Sequence, residues 1–179
     1  MVIEPKGETI MTDSQEYDLQ CLSMPSVTIY SDGSFKPDLH TGGYGSIMTC
    51  NGYSQFFYGG YVQCSNNAME LLAVLVAIRA LMVPCRITII SDSKYVVDGL
   101  NSYLRSWVAN GWKKSNGGMI ANEALWREMW YYCQHHVISA TWVKGHATNF
   151  SNSICDNLAS IGAYAVSGAR IPDHLLNRV

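Results

Sequence analysis

Apolar and polar positions fall into blocks along this chain, and the period of those blocks predicts alternating strands and helices. Val27-Thr28-Ile29-Tyr30-Ser31 is rich in β-branched residues and apolar enough for a central strand. Residues 35–43 read as a loop, with Pro37 and Gly42-Gly43. Tyr44 to Cys50 and Ser54 to Val62 read as two further strands, joined by the hairpin signal Asn51-Gly52. Three strands linked by short turns make an antiparallel meander. A helix follows, with Ser65 as its N-cap and Pro84 as its stop. Arg86 to Ser91 is a fourth strand. A helix between two strands implies a crossover, so this strand is expected beside the first and parallel to it. Ser93 should cap a helix reaching about Arg105, and Asn122 one reaching about His135. Ile138 to Val143 is a fifth strand, and a last helix begins at Asn152 and fades near Gly168.

Three carboxylates interrupt this pattern. Asp32 closes the first apolar run, and Asp92 closes the run Ile87-Thr88-Ile89-Ile90-Ser91. Glu70 lies within a run from Ala68 to Met82 whose only other charged residue is Arg79. A helix apolar on nearly every side is buried on nearly every side. An ionised carboxylate there costs several kcal/mol or more unless a cation or hydrogen bonds compensate, on the order given by polar-transfer data. Parallel pairing of the first and fourth strands brings Asp32 and Asp92 out side by side at strand carboxyl ends, the expected place for a site in an α/β sheet. Glu70, in the first turn or so of the helix packed on that sheet, reaches the same point. A divalent metal is the natural partner for the three.

Composition changes the picture little. The chain has 179 residues, enough for one domain with a real core. Its net charge of -2 is uneven. Residues 1–26 carry five acids and one base, and the remainder is weakly basic. They are polar and aperiodic and read as a flexible extension, while residues 169–179 read as a tail. Six scattered cysteines form no CxxC pair and no zinc spacing, which points to reduced thiols. No apolar run reaches the ~18 residues of a membrane span, and no basic-then-apolar leader opens the sequence. The expectation is a cytoplasmic protein, without a membrane and monomeric, since no uncommitted apolar helix face is visible.

Seven segments then occur in a familiar order. They are Ser-Asp-Gly-Ser (31–34), Gly-Gly-Tyr-Gly (42–45), Asn-Asn-Ala-Met-Glu-Leu (66–71), Ser-Asp-Ser-Lys-Tyr-Val (91–96), Gly-Trp-Lys (111–113), Trp-Val-Lys-Gly-His-Ala (142–147) and Cys-Asp-Asn-Leu-Ala (155–159). Together they make residues 27–168 resemble type 1 ribonuclease H of the bacterial kind. The resemblance implies a ribonuclease H-like α/β fold, a five-stranded mixed sheet of three antiparallel strands then two parallel ones, with flanking helices. It implies cleavage of the RNA strand of RNA–DNA hybrids by two Mg²⁺ ions, with Mn²⁺ able to substitute, leaving 5′-phosphate and 3′-hydroxyl ends.

The same resemblance assigns Asp32, Glu70, Asp92 and Asp156 as catalytic metal ligands. Only Asp156 escapes a reading of the residues alone, because a first-turn aspartate is usually just a favourable helix-dipole residue. His146 takes a role in proton transfer near the leaving group or in product release. The backbone at Gly33, together with Asn66, Asn67 and Glu70, faces the RNA strand in the minor groove, and Ser65 and Asn122 hold a DNA-strand phosphate. Lys94 stands where it could contact a phosphate, and Trp107 and Trp112 belong to a basic projection over 107–121. Packing is an equally good role for both tryptophans, and helix capping for the asparagines.

Two stretches depart from the pattern. The projection continues Lys113-Lys114-Ser-Asn-Gly-Gly-Met-Ile-Ala, poorer in lysine than relatives, which implies modest hybrid affinity. Asn149-Phe150-Ser151 with Ser153 precedes Asp156 where relatives usually carry more charge. A non-cutting module on the same fold would lack one of the four acids, and all four are present. A resolvase-type nuclease would lack the Asn-Asn-x-Met-Glu and Trp-Val-Lys-Gly-His segments as a set.

Overall fold

A single mixed sheet carries every element that reaches the carboxylates. The computed structural model describes residues 23–145 and 150–176. The strands are β1 (Ser26–Lys36), β2 (Thr41–Cys50), β3 (Tyr53–Val62), β4 (Arg86–Ser91) and β5 (Val137–Trp142), in the order β3-β2-β1-β4-β5. β1, β2 and β3 are antiparallel neighbours, and β4 and β5 add in parallel. The five-stranded mixed sheet expected from the sequence is thus present.

The first helix, α1 (Asn66–Arg79), is the crossover between β3 and β4. Its N-cap is Ser65, whose hydroxyl accepts from the Ala68 amide at 3.2 Å. Leu71, Leu75 and Ile78 are wholly buried against Ile29, Ile87 and Ile89 of the sheet. Each such side chain stabilises the fold by roughly 1.5–3 kcal/mol. Arg79 ends the helix with a bidentate ion pair to Glu128, at 2.7 and 2.8 Å, on α4 (Glu123–Cys133).

The last long helix, α5 (Phe150–Ser167), covers the opposite face. Successive β2 residues report the two sides. A Cβ on Gly42 would strike Met69 of α1, whereas one on Gly43 would strike the Ala159 backbone of α5. Gly45, Gly60 and Gly162 are equally intolerant of a Cβ, so α5 lies nearly backbone-to-backbone on β2 and β3. Gly42 and Gly43 are strand residues paired with Phe35 and Ser34 of β1, not loop residues. The only interruption between β1 and β2 is a 3-10 turn at Pro37–Leu39, closed by His40 at φ 50°.

Other boundaries also differ from expectation. β1 does not stop at Asp32, because β2 keeps pairing with it as far as Lys36↔Thr41 while β4 ends at Ser91. The helix after Ser93 comes in pieces. These are α2 (Lys94–Asp98), a π-helical turn over Gly99–Tyr103, and α3 (Leu104–Ala109). Gly99 lets the Trp126 ring lie against the backbone there. Asn122 makes no capping bond to α4. It sits in the left-handed region at φ 57°, and its amide donates to the Tyr95 hydroxyl at 3.1 Å. Asn152 is inside α5, which starts two residues earlier. Past Gly168, α6 (Asp173–Leu176) buries Leu175.

Candidate metal centre

Asp32 and Asp92 meet because β1 and β4 are in parallel register at Ser31↔Ser91, so the next residue of each strand is an aspartate. Ser91 and Ser93 shape the turn after β4. The Ser93 amide donates to Ser91 Oγ at 3.1 Å, and Ser93 Oγ accepts from Val96 to cap α2. Glu70 arrives from the first turn of α1. Its position depends on Gly33, where an added Cβ would lie 2.5 Å from the Glu70 amide nitrogen and 2.9 Å from its Cγ. One oxygen from each of Asp32, Glu70 and Asp92 lies within 4.8 Å of the others.

Asp32 is 6% exposed and Glu70 7%, so solvent does little to screen them. Burial pushes the Asp32 carboxyl up to about 9, and the charges of Glu70, Asp92 and Asp156 push in the same direction. Glu70 rises to about 8, again mainly through burial and then through Asp92. Compensating hydrogen bonds are few among the described residues. The Gly33 amide donates to Asp32 Oδ1 at 2.8 Å, and the Asn66 amide donates to Glu70 Oε1 at 3.1 Å. Glu70 Oε2 is buried with no hydrogen-bond partner among the described residues. The described residues offer no lysine or arginine bonded to any of these acids. This is a hard-oxygen donor set with one orphaned oxygen, and it fits a divalent cation such as Mg²⁺.

Asp156, on α5, stands outside the tight group of three, yet its charge raises both Asp32 and Glu70. Its helix is placed by Gly45, the β2 partner of Asp32, whose missing Cβ leaves room for the Cys155 backbone. Gly145 comes against the Asp92 carboxylate. His146, the next residue, lies outside the described residues, as does Asn149.

The substrate-contact candidates divide into two groups. Ser65, Asn66 and Asn67 lie exposed at the start of α1, and Gly33 of β1 packs against Glu70 beside them. Lys94 is exposed next to Asp92, its ammonium 5.4 Å from the Trp142 ring centroid. Trp107 and Trp112 are packed side chains. Trp107 stacks on Tyr103 and meets Trp126 edge-on, and Trp112 lies under the Arg127 guanidinium at 4.5 Å. They anchor the projection, leaving Lys113 and Lys114 exposed. Asn122 belongs to the Tyr95–Trp126 bonding network at the base of the same projection.

Two residues about this site are not singled out by sequence reasoning. Asn152 donates to Asp92 Oδ2 at 3.2 Å, and the Trp142 indole donates to the Asp92 carbonyl at 2.9 Å. Trp142 opens one of the motif segments and Asn152 lies between two of them, yet neither residue type signals a bond to an aspartate fifty or sixty positions away.

Comparison with known proteins agrees with this architecture. The RNase H family model matches residues 24–164. Ribonuclease H of Actinobacillus pleuropneumoniae serotype 5b is 41% identical over 140 residues, covering 78% of this chain and 92% of that protein. Ribonuclease H of Aliivibrio salmonicida is 39% identical, covering 78% and 89%. The crystal structure of LC9-RNase H1, described as a type 1 RNase H with the type 2 active-site motif, superposes with a TM-score of 0.71. It is 26% identical, covering 86% of this chain and 80% of that one. With a family model spanning most of its length, curated relatives at about 40% identity and the expected sheet order, the chain belongs to the ribonuclease H family.

Proposed function

We propose that this protein is an endonuclease that hydrolyses the RNA strand of RNA–DNA hybrids at the Asp32–Glu70–Asp92 cluster, with Asp156 as the fourth carboxylate. Family membership supports a hydrolytic nuclease acting on hybrids. The observation that carries the site assignment is Glu70 Oε2, buried and without a hydrogen-bond partner beside two further carboxylates. A stable fold tolerates that arrangement when a cation faces it.

Two Mg²⁺ ions, or Mn²⁺ in their place, would supply an activated water, neutralise phosphate charge and stabilise the leaving oxygen, giving 5′-phosphate and 3′-hydroxyl ends. The chain's residues do the rest. Asp32, Glu70, Asp92 and Asp156 present the oxygens. The exposed Asn66 and Asn67, with the backbone at Gly33, lie where an RNA 2′-hydroxyl would approach, the group that separates RNA from DNA. Ser65 and Lys94 offer phosphate contacts on either side, and Asn122 another at the base of the projection. Lys113 and Lys114 extend the electrostatic footprint, which two lysines keep modest. Trp107 and Trp112 act by holding that projection in place. His146 serves proton transfer or product release.

All four carboxylates come from one chain, consistent with a monomer. No helix among the described residues is long and apolar enough to cross a membrane. The scattered cysteines, without CxxC or zinc spacing, support a cytoplasmic location as part of this proposal. The test is cleavage of a labelled hybrid, single-stranded RNA and duplex DNA, with end-group analysis of the products. Mg²⁺-dependent cutting of the hybrid's RNA strand, with 5′-phosphate ends, is expected. Cutting of single-stranded RNA at a comparable rate would overturn the substrate assignment.

A further inference from the structure

The end of β5, Gly145 and the start of α5 all close on one residue, Asp92. The Trp142 indole holds its main-chain carbonyl at 2.9 Å, Gly145 comes against its carboxylate, and the Asn152 amide donates to Oδ2 at 3.2 Å. Asn152 is the third residue of α5, a place where asparagine usually faces water or caps its own helix. Here it is 4% exposed. We infer that Asn152 is a positioning residue for the metal site, locking the rotation of the Asp92 carboxylate and tying α5 to it.

This inference rests on the proposed function. Its chemistry is specific. A carboxylate at a strand end turns freely about its last torsion, whose energy wells are broad. A hydrogen bond from a helix fixed on the sheet removes that freedom. An amide does so without adding positive charge, so the negative charge needed to hold a cation is kept. An aspartate at 152 would put another like charge within bonding distance of Asp92. Because Asp156 lies one turn further along α5, the same bond also fixes the spacing between those two acids.

Outer residues that orient metal ligands typically change metal affinity by about 10–100-fold when lost. The experiment follows Mg²⁺ alone. Melting temperature of the substrate-free protein is titrated against Mg²⁺ for wild type, Asn152→Ala, Asn152→Asp and Ser160→Ala. Ser160 lies on the same helix, is similarly buried, and bonds to Ser34 and Lys36 rather than to an acid. For Asn152→Ala the half-saturating Mg²⁺ should rise about 10-fold, with KM for the hybrid within about twofold and kcat recovering at high Mg²⁺. Asn152→Asp, equal in volume, should shift it at least as far, and it stands in for the alanine variant if that one does not fold. Ser160→Ala should lower the metal-free melting temperature without moving the Mg²⁺ midpoint. An unmoved midpoint in both Asn152 variants, or an equal shift in Ser160→Ala, overturns the inference while leaving the metal site standing. A wild type that shows no Mg²⁺ response overturns the proposed function and this inference together.

Discussion

Stripping divalent metal from this protein should make its stability fall as pH rises through neutrality. In the folded chain the Asp32 carboxyl is pushed up to about 9 and Glu70 to about 8, chiefly by burial. In the unfolded chain both return to about 4. Near pH 7 the folded state therefore binds more protons than the unfolded one. Stability then declines with pH, by about 1.4 kcal/mol per pH unit for each extra proton held. The two groups share one site, so the expected slope lies between one and two protons, roughly 1.4–2.7 kcal/mol per pH unit. The contribution is complete below the unfolded value near 4 and is lost as pH passes the folded values of about 8 and 9.

The assay is urea denaturation in chelator at pH 6.5, 7.0 and 7.5, with Asp32→Asn in parallel. That comparison cancels the histidines, which titrate in the same range. The variant should lose at least about one proton's worth of slope. Saturating Mg²⁺ should remove the decline in the wild type, because binding favours the ionised acids. A metal-free wild type whose stability is flat or rising with pH, or whose slope equals that of Asp32→Asn, would refute the reasoning.

Three further outcomes follow from individual contacts. Gly33→Ala places a Cβ 2.5 Å from the Glu70 amide nitrogen, so it should cost about 1–3 kcal/mol by denaturant titration and raise the Mg²⁺ requirement for cleavage. Tyr95→Phe removes a hydroxyl that accepts from Trp126 Nε1 and Asn122 Nδ2 and donates to the Ala121 carbonyl. It should destabilise by about 1–3 kcal/mol and weaken hybrid binding through the projection, measured as KM. Lys113→Ala with Lys114→Ala should flatten the slope of log affinity against log salt by up to about 2, read by titrating hybrid binding at several salt concentrations.

Most of the fold is legible from period and punctuation. The β-branched runs at 27–31 and 86–91, the Asn51-Gly52 turn and the Ser65 cap each dictate local structure that packing does not override. The boundaries that move do so for tertiary reasons. β1 continues past Asp32 because β2 is there to pair with it. Gly42 and Gly43 join a strand because α1 packs closely on one face of it and α5 on the other, leaving no room for Cβ atoms. Asn122 has the composition of a cap but takes a left-handed backbone to reach Tyr95.

In the site, Glu70 is conspicuous in the sequence because charge inside an apolar helix is costly, and its Oε2 has no hydrogen-bond partner among the described residues. Asp32 and Asp92 follow from strand register alone. Asn152 and Trp142 are invisible until the end of β5 and the start of α5 come to Asp92, since their bonds span sixty and fifty residues.

The central claim is that these buried carboxylates carry the cleavage chemistry while neighbouring residues carry the binding. Its most direct test compares wild type and Asp32→Asn on a labelled RNA–DNA hybrid in Mg²⁺, with binding measured on the same samples. Mg²⁺-dependent cutting of the RNA strand by the wild type, abolished in Asp32→Asn with hybrid binding retained, is the predicted result. A wild type that binds the hybrid yet leaves it intact in both Mg²⁺ and Mn²⁺, or an Asp32→Asn variant that cuts at the wild-type rate, would contradict the account.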